Sequence, residues 1–423
     1  MKAPPRFQTL SAWLNWLETL HPKAIDLGLE RVRVVANNMG LTRPAPYVIT
    51  VAGTNGKGSC VAFLESILRS SGHRVGCYTS PHLIHYNERI RLDGQPIAET
   101  LLCEALDFVD KSRGEQTLSY FEFGTLAAFY LFEQHALDCA ILEVGMGGRL
   151  DAVNWVDCDL ALISNVDFDH MDHLGNTLEA IGFEKAGIMR SGKPVVYGGD
   201  ILPNSVLQRA EQLRAPLYYK DRDFSYTIKD QNWTWQSKSQ TLVQLPLPHL
   251  PIPNAASVLQ VVELLPARFK PKLEILKSCL ANTQLAGRFQ QQQLTNGAKI
   301  IFDVAHNPQS CTLLAKRLSS IPCQGKTYAI VGMLADKDIS NSLAPLLEVI
   351  DKWCLISLNV ARGARADQLG QQLLQLGAKP DFLTEDMEEA CQLLLEELKS
   401  EDRIVVFGSF YTVGMGLTTL MGK

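Results

Sequence analysis

A chain of 423 residues, 46% of them hydrophobic, can bury two cores and is too long for one, so two domains are expected. A formal charge of −5 without any long basic run excludes nucleic acid and an anionic membrane as main partners and points to small molecules. The opening Met-Lys-Ala-Pro-Pro-Arg-Phe-Gln has no apolar core of signal-peptide length and no apolar run is long enough to cross a bilayer, so a cytoplasmic protein is expected.

Apolar periodicity predicts two opening helices, one through Leu10, Trp13, Leu14 and Leu17, the other through Leu29, Val32, Val35 and Ala36 and ending near Gly40. Strands are predicted at 47–52, 74–79, 139–144, 159–166 and 194–197, with helices at 57–71, 98–111, 121–135 and 177–189 between them. Near-continuous apolar strands alternating with helices imply a parallel sheet covered on both faces, with ligands beyond the carboxyl ends of the strands. From 217 to 247 polar and aromatic residues alternate, as in antiparallel hairpins, and a proline-rich segment then leads into a helix near Asn254. A second series of strands and helices starts near 298, after the segment 284–293 has broken the periodicity. The expected class is therefore α/β with two doubly wound domains, 1–286 and 287–423. The first is a P-loop ATPase-type parallel sheet with a small antiparallel β addition, and the second is Rossmann-like. Ten cysteines, scattered without a Cys-x-x-Cys pair, are read as reduced and mostly buried rather than as disulfides or a zinc site.

Between the first sheet strand and its helix lies Val51-Ala-Gly-Thr-Asn-Gly-Lys-Gly-Ser-Cys60. Gly53, Gly56 and Gly58 allow a sharp turn that brings backbone N–H groups to an anion, Lys57 can reach outer phosphates, and the Ser59 hydroxyl suits magnesium. The loop is a variant, because a standard phosphate loop has glycine where this chain has Val51. Glu143 stands at the carboxyl end of the strand at 139–144, before Gly-Met-Gly-Gly-Arg-Leu-Asp, and is read as a metal ligand, the alternative being a pair with Arg149. Asn165-Val-Asp-Phe-Asp-His-Met-Asp-His173 ends the next strand; His170 is read as a metal or substrate contact, and Asp172 and His173 as caps of the helix starting near Thr177. By spacing alone Lys185 would be an ordinary solvated lysine. Arg288 and Asp303 could face a nucleotide bound between the domains, although Asp303 would equally cap a helix starting at Pro308.

Taken together these motifs resemble the folylpolyglutamate synthase and dihydrofolate synthase family, a branch of the Mur ligase superfamily, and most nearly its bifunctional bacterial members. The likeness runs nearly the whole length: Asp26–Val32, Gly53–Ser59, Ser80-Pro-His-Leu83, Asn87-Glu-Arg-Ile90, Tyr120-Phe-Glu122, Leu142–Asp151, Asp169-His170, Glu184-Lys-Ala-Gly187, Pro253-Asn-Ala-Ala256, Gly287-Arg-Phe289 and Phe302–Pro308. The family's own loop has the Gly-Thr-Asn-Gly-Lys-Gly-Ser form found here.

The resemblance implies an ATP-dependent ligase that adds L-glutamate to dihydropteroate and to the tail of reduced folates through an acyl phosphate. It implies two magnesium ions held by Ser59, Ser80, Glu143 and His170, and a carbamylated Lys185. It further implies ATP contacts from Thr54, Asn55, Gly56, Lys57, Gly58, Ser59, Asn254, Arg288, Asp303 and His306. Pterin contacts would come from Asp26, Leu27, Gly28, Leu29, Ser119, Tyr120, Phe121, Glu122, Arg149, Leu150 and Asp151, and glutamate would dock near Asp303 to Asn307 and Ser409. Closure of the second domain over the first would exclude water, and a monomer is the family expectation. A cell-wall Mur ligase is opposed by the Asp26 to Val32 and Ser80 to Leu83 segments, and a GTPase-like switch by the lack of an Asn-Lys-x-Asp segment.

Overall fold

The computed structural model describes residues 5–23 and 25–422, and the statements below concern these; the first four residues, part of the opening segment read above, lie outside them. The chain divides into two compact units, one comprising the described residues through His82 and Tyr86–Thr283, the other Leu83–His85 and Gln284 onward.

In the first unit the strands are β1 (Tyr47–Ala52), β2 (Val75–Tyr78), β3 (Ile90–Leu92), β4 (Gln95–Pro96), β5 (Cys139–Glu143), β6 (Leu160–Ile163), β7 (Val195–Tyr197), β8 (Leu217–Tyr219), β9 (Phe224–Lys229), β10 (Asn232–Ser237) and β11 (Thr241–Pro246). The helices are α1 (Leu10–Leu20), α2 (Glu30–Met39), α3 (Lys57–Ser70), α4 (Glu99–Arg113), α5 (Tyr120–Gln134), α6 (Met171–Leu174), α7 (Leu178–Ala186), α8 (Asn204–Gln212), α9 (Ile252–Leu264) and α10 (Leu273–Asn282). Eight strands form one sheet in the order β4-β3-β2-β5-β1-β6-β7-β8, parallel from β2 to β8. Alternate residues of β1 serve opposite faces: Val48 and Ala52 join the core built with α1, α2, α4 and α5, while Ile49 and Val51 are equally buried on the other. That two-sided burial explains why these strands are almost continuously apolar.

The structure corrects the sequence reading in three places here. Two short strands, β3 and β4, extend the sheet with antiparallel pairing where no strand was expected. β8, placed by the sequence reading in the hairpin region, pairs parallel with β7 and belongs to the main sheet. Only β9, β10 and β11 make the antiparallel addition. Its inner face is set by Trp233 and Trp235, two apart in one strand and both buried, whose indole N–H groups donate to Pro246 O (2.9 Å) and Ala256 O (3.1 Å). The second bond ties the addition to α9.

The second unit has β12 (Gln290–Gln293), β13 (Lys299–Asp303), β14 (Thr327–Val331), β15 (Lys352–Ile356), β16 (Phe382–Thr384) and β17 (Arg403–Phe407), in the order β12-β13-β17-β14-β15-β16. Its helices are α11 (Pro308–Ser320), α12 (Ile339–Leu343), α13 (Ala366–Gln375), α14 (Met387–Glu397) and α15 (Phe410–Met421). Ile301, Ala329, Val331, Leu355, Val405 and Phe407 face one core, and Ile300, Phe302, Tyr328, Ile330, Cys354, Ile356, Ile404 and Val406 the other. The glutamines at 290–293, read as a break, form an edge strand antiparallel to β13, because an edge needs backbone pairing and little side-chain burial. All ten cysteines are free and all but Cys323 are buried.

Candidate active site

β1 ends between β5 and β6, so the glycine loop leaves the middle of the sheet. Gly53 and Gly56 take φ of 149° and 84°, which side-chain-bearing residues rarely adopt, and a Cβ on either would lie 1.8 Å from Ser164 Oγ or 2.5 Å from Asn254 Oδ1. The loop is thus clamped between the end of β6 and the first turn of α9. Asn165 holds it from below, accepting from Thr54 N through its carbonyl (3.1 Å) and from Asn55 N through Oδ1 (2.9 Å). Thr54 Oγ1 donates to Asp167 O and accepts from Asp167 N, both at 3.0 Å. These amides of Thr54 and Asn55 are occupied, whereas the first amides of α3 have no intrahelical acceptor, as at any helix start, and suit an anion. The Lys57 ammonium lies over the loop, donating to Gly53 O (3.0 Å) and Thr54 O (3.3 Å), and Ser59 is buried in the first turn of α3.

Glu143 closes β5 directly opposite Val51 and is only 5% exposed, with Oε2 accepting from Ser80 N at 3.4 Å. Burial and then the charge of Glu143 push the Cys60 thiol up, which puts that carboxylate beside the start of α3. Glu143 does not pair with Arg149, the alternative left open by the sequence, because Arg149 Nη2 binds Glu184 Oε1 at 2.8 Å. The glycines before Arg149 let the loop lie flat on α7: a Cβ at Gly148 would stand 2.9 Å from Glu184 O, and Arg149 N donates to that same carbonyl at 2.8 Å.

The helix so covered carries Lys185, which is 3% exposed. Burial, and next the charge of Lys57, lower its ammonium to about 7, with Asp169 opposing them. The solvated-lysine reading therefore fails. His170 sits before α6 with φ 52°, unusual outside glycine; its N–H donates to Asp169 Oδ1 at 2.9 Å, and its Nε2 is 3.8 Å from Asp169 Oδ2. Asp172 and His173 lie exposed in α6 and cap nothing at α7, whose first turn is capped by Thr177 Oγ1, accepting from Ala180 N at 3.1 Å.

No group of three or more His, Cys, Asp and Glu side chains able to hold a metal occurs among the described residues. The donors here are hydroxyls, one buried carboxylate and one imidazole. Such a set suits magnesium that takes its other oxygens from phosphate and water, and suits neither zinc nor a protein-caged calcium.

The segments assigned to the pterin come together although they are distant in sequence. Gly28 N donates to Leu150 O at 3.1 Å, Asp26 and Glu122 share Arg31 at 2.8 and 3.0 Å, and a Cβ on Gly145 would stand 2.7 Å from the Phe121 ring. Tyr120 lies edge-on to Tyr86. Three candidates also have structural duties. Ser119 and Glu122 form the capping box of α5, and buried Asp151 accepts from Met146 N (2.9 Å) and Val153 N (3.0 Å). Burial pushes the Asp151 carboxyl up to about 7 despite those bonds. Arg31 and His21, which bind Asp26, escaped the sequence reading, as did the Ser164 to Asp167 support under the loop.

In the second unit Asp303 receives the amides of Phe289 (2.8 Å) and Ala305 (2.9 Å), and burial raises its carboxyl against the opposing charge of Arg288. It does not cap α11. Asn307 does, through Ser310 N at 3.0 Å, in the position before Pro308. Arg288 lies 4.9 Å above the Phe410 ring, and His306, with Nδ1 2.9 Å from Val304 O, faces the same ring. Arg317, another residue missed in the sequence, stacks at 3.8 Å on Phe289 and adds its charge near Asp303. Asn307 and Ser409 serve as helix caps, which limits them as glutamate ligands.

A glycine phosphate loop, a carboxylate at the neighbouring strand end and a separate doubly wound unit are the parts of a Mur ligase. The Mur ligase middle domain matches residues 51–241, and the Mur ligase glutamate ligase domain matches 287–410. The dihydrofolate synthase/folylpolyglutamate synthase of Escherichia coli (strain K12) is 42% identical over 412 residues, 97% of this chain and 96% of that protein. A crystal structure of bifunctional folylpolyglutamate synthase/dihydrofolate synthase with Mn, AMPPNP and L-glutamate bound has a TM-score of 0.91 at 42% identity, covering 99% of this chain and 100% of that one. E. coli FolC in complex with DHPP and ADP gives 0.92 at 41%, covering 99% of both chains. The chain belongs to the dihydrofolate synthase/folylpolyglutamate synthase family.

Proposed function

We propose that this chain is an ATP-dependent ligase that joins L-glutamate to dihydropteroate, giving dihydrofolate, and to the glutamate tail of reduced folates. The observation that carries the reading is the phosphate loop lying beside buried Glu143 in a chain related over its full length to enzymes of that name. A carboxylate and an amine do not condense in water until the carboxyl oxygen becomes a good leaving group. The substrate carboxylate therefore attacks the γ-phosphorus of ATP, ADP leaves, and an acyl phosphate forms. The glutamate amine then attacks the acyl carbon, loses a proton, and the tetrahedral adduct collapses to amide and inorganic phosphate.

Lys57 and the first amides of α3 neutralise charge on the transferring phosphoryl group. Ser59, Ser80, Glu143 and His170 hold two magnesium ions, which supply further charge neutralisation when bound. Lys185 is the residue to be carbamylated: at a pKa of about 7 much of it is the neutral amine that adds carbon dioxide, losing a proton to become an anion. Thr54, Asn55, Gly56, Gly58, Asn254, Arg288, Asp303 and His306 are assigned to the nucleotide. Asp26 to Leu29, Ser119 to Glu122 and Arg149 to Asp151 are assigned to the pterin end. Among the described residues no helix is long and apolar enough to cross a membrane, and a cytoplasmic monomer is the proposed form.

The test is a phosphate-release assay on purified protein with ATP, magnesium and glutamate. Dihydropteroate and tetrahydrofolate, tried separately, should each release phosphate in step with product, and omission of glutamate should stop amide formation. No product from dihydropteroate sinks the synthase activity, and none from tetrahydrofolate sinks the chain-extending one.

A further inference from the structure

The two segments assigned to the pterin, 26–29 and 119–122, are linked by a run of polar contacts that starts outside both. His21 ends α1, and its side chain is only 8% exposed. Its Nδ1 lies 2.9 Å from Thr117 Oγ1, two residues before the cap of α5, and its Nε2 lies 3.0 Å from Asp26 Oδ2. Asp26 continues the run to Arg31 Nη1 at 2.8 Å, while Arg31 Nη2 donates to the Asp26 carbonyl at 2.7 Å and to Glu122 Oε1 at 3.0 Å. Glu122 Oε2 then accepts from Ser119 N at 2.7 Å. Lys23, 3.6 Å from Asp26, is well exposed and contributes little to this anchoring.

The chemistry of the ends fixes what the ring does. An ionised carboxylate only accepts, so His21 Nε2 carries a proton, whereas Nδ1 faces a hydroxyl that can either donate or accept. Both bonds therefore persist whether the imidazole is neutral or cationic. Among the causes that hold the Asp26 carboxyl below its usual range, the His21 hydrogen bond is the largest attractive one, ahead of the charges of Arg31 and Lys23. A flat ring bonded at both edges sets distance and angle more tightly than a flexible lysine can.

We propose that His21 is a positioning residue for the pterin end of the substrate, holding Asp26 and the segment 26–29 at a fixed distance from the start of α5. The inference rests on the assignment of those segments to the pterin. His21 is given no contact with ATP, glutamate or the reacting carboxylate, so its removal acts on one substrate. Gln can reproduce a donor toward Asp26 and an acceptor toward Thr117; Ala reproduces neither.

The experiment is steady-state kinetics of wild type, His21→Ala and His21→Gln, with dihydropteroate, ATP and glutamate varied in turn and melting temperature measured alongside. His21→Ala should raise KM for dihydropteroate roughly tenfold, with kcat and the other two KM values within about twofold of wild type, and His21→Gln should recover most of the loss. An unchanged KM for dihydropteroate, or equal rises for all three substrates, overturns the proposal. Should His21→Ala fail to fold, Thr117→Val frees one edge of the ring only and should give a smaller rise confined to the same KM; no rise overturns the proposal. A wild type that does not use dihydropteroate at all rejects the ligase reading and this inference with it, a result distinct from an active wild type indifferent to His21.

Discussion

Replacing Lys185 by alanine is expected to lower turnover by roughly 10²–10³-fold, the loss that follows removal of one group supporting transition-state charge. Its ammonium is buried near Lys57, and the opposing charge of Asp169 does not offset burial and that repulsion. Carbamylation replaces a second buried cation by an anion and removes the repulsion. The sign with pH follows from the lowered value. Above about 7 the free amine predominates and takes up carbon dioxide; below it the amine protonates and the anion is lost. Intact-protein mass spectrometry should therefore show an added carbon dioxide near pH 8 that disappears in mild acid, and short carboxylates should partly restore the alanine variant. Full activity of Lys185→Ala would return this residue to a structural role.

Glu143→Gln is expected to cost as much and to act through the metal. The substitution keeps the shape of the side chain at the end of β5 and its acceptor for Ser80 N, and removes one negative charge. A hard cation holds to an amide oxygen far more weakly than to a carboxylate. Half-saturation by magnesium should rise at least roughly tenfold, and ATP binding in the presence of magnesium should weaken with it. The readout is a magnesium titration of ATP binding by calorimetry, which does not depend on turnover. An unchanged titration would take Glu143 out of the metal site.

Much of the fold was legible in the chain because strands buried on both faces are almost continuously apolar, as β1, β5, β14 and β17 are. Elements stabilised mainly by the backbone left little trace. β3 and β4 are three and two residues long, and β12 consists of four glutamines on an edge. Among the residues assigned to the site, the burial of Glu143 could be read from its place at a strand end, while Lys185 could not be told from a surface lysine. Its burial, with the charges of Lys57 and Asp169 nearby, depends on segments far away in sequence, which helical spacing does not encode. The ambiguity at Asp303 was open to a closer reading, since Asn307 stands immediately before Pro308, where a helix cap belongs. His21 carries no motif and is distinguished only by what its ring touches.

The substrate carboxylate is phosphorylated before the glutamate amine attacks it, and isotope transfer reads this step without interference from binding order. With heavy-isotope oxygen in the carboxylate of dihydropteroate, one turnover with ATP, magnesium and glutamate should deliver one labelled oxygen to the inorganic phosphate and leave the other in the new amide. Phosphate released without label, while dihydrofolate forms, would contradict the account.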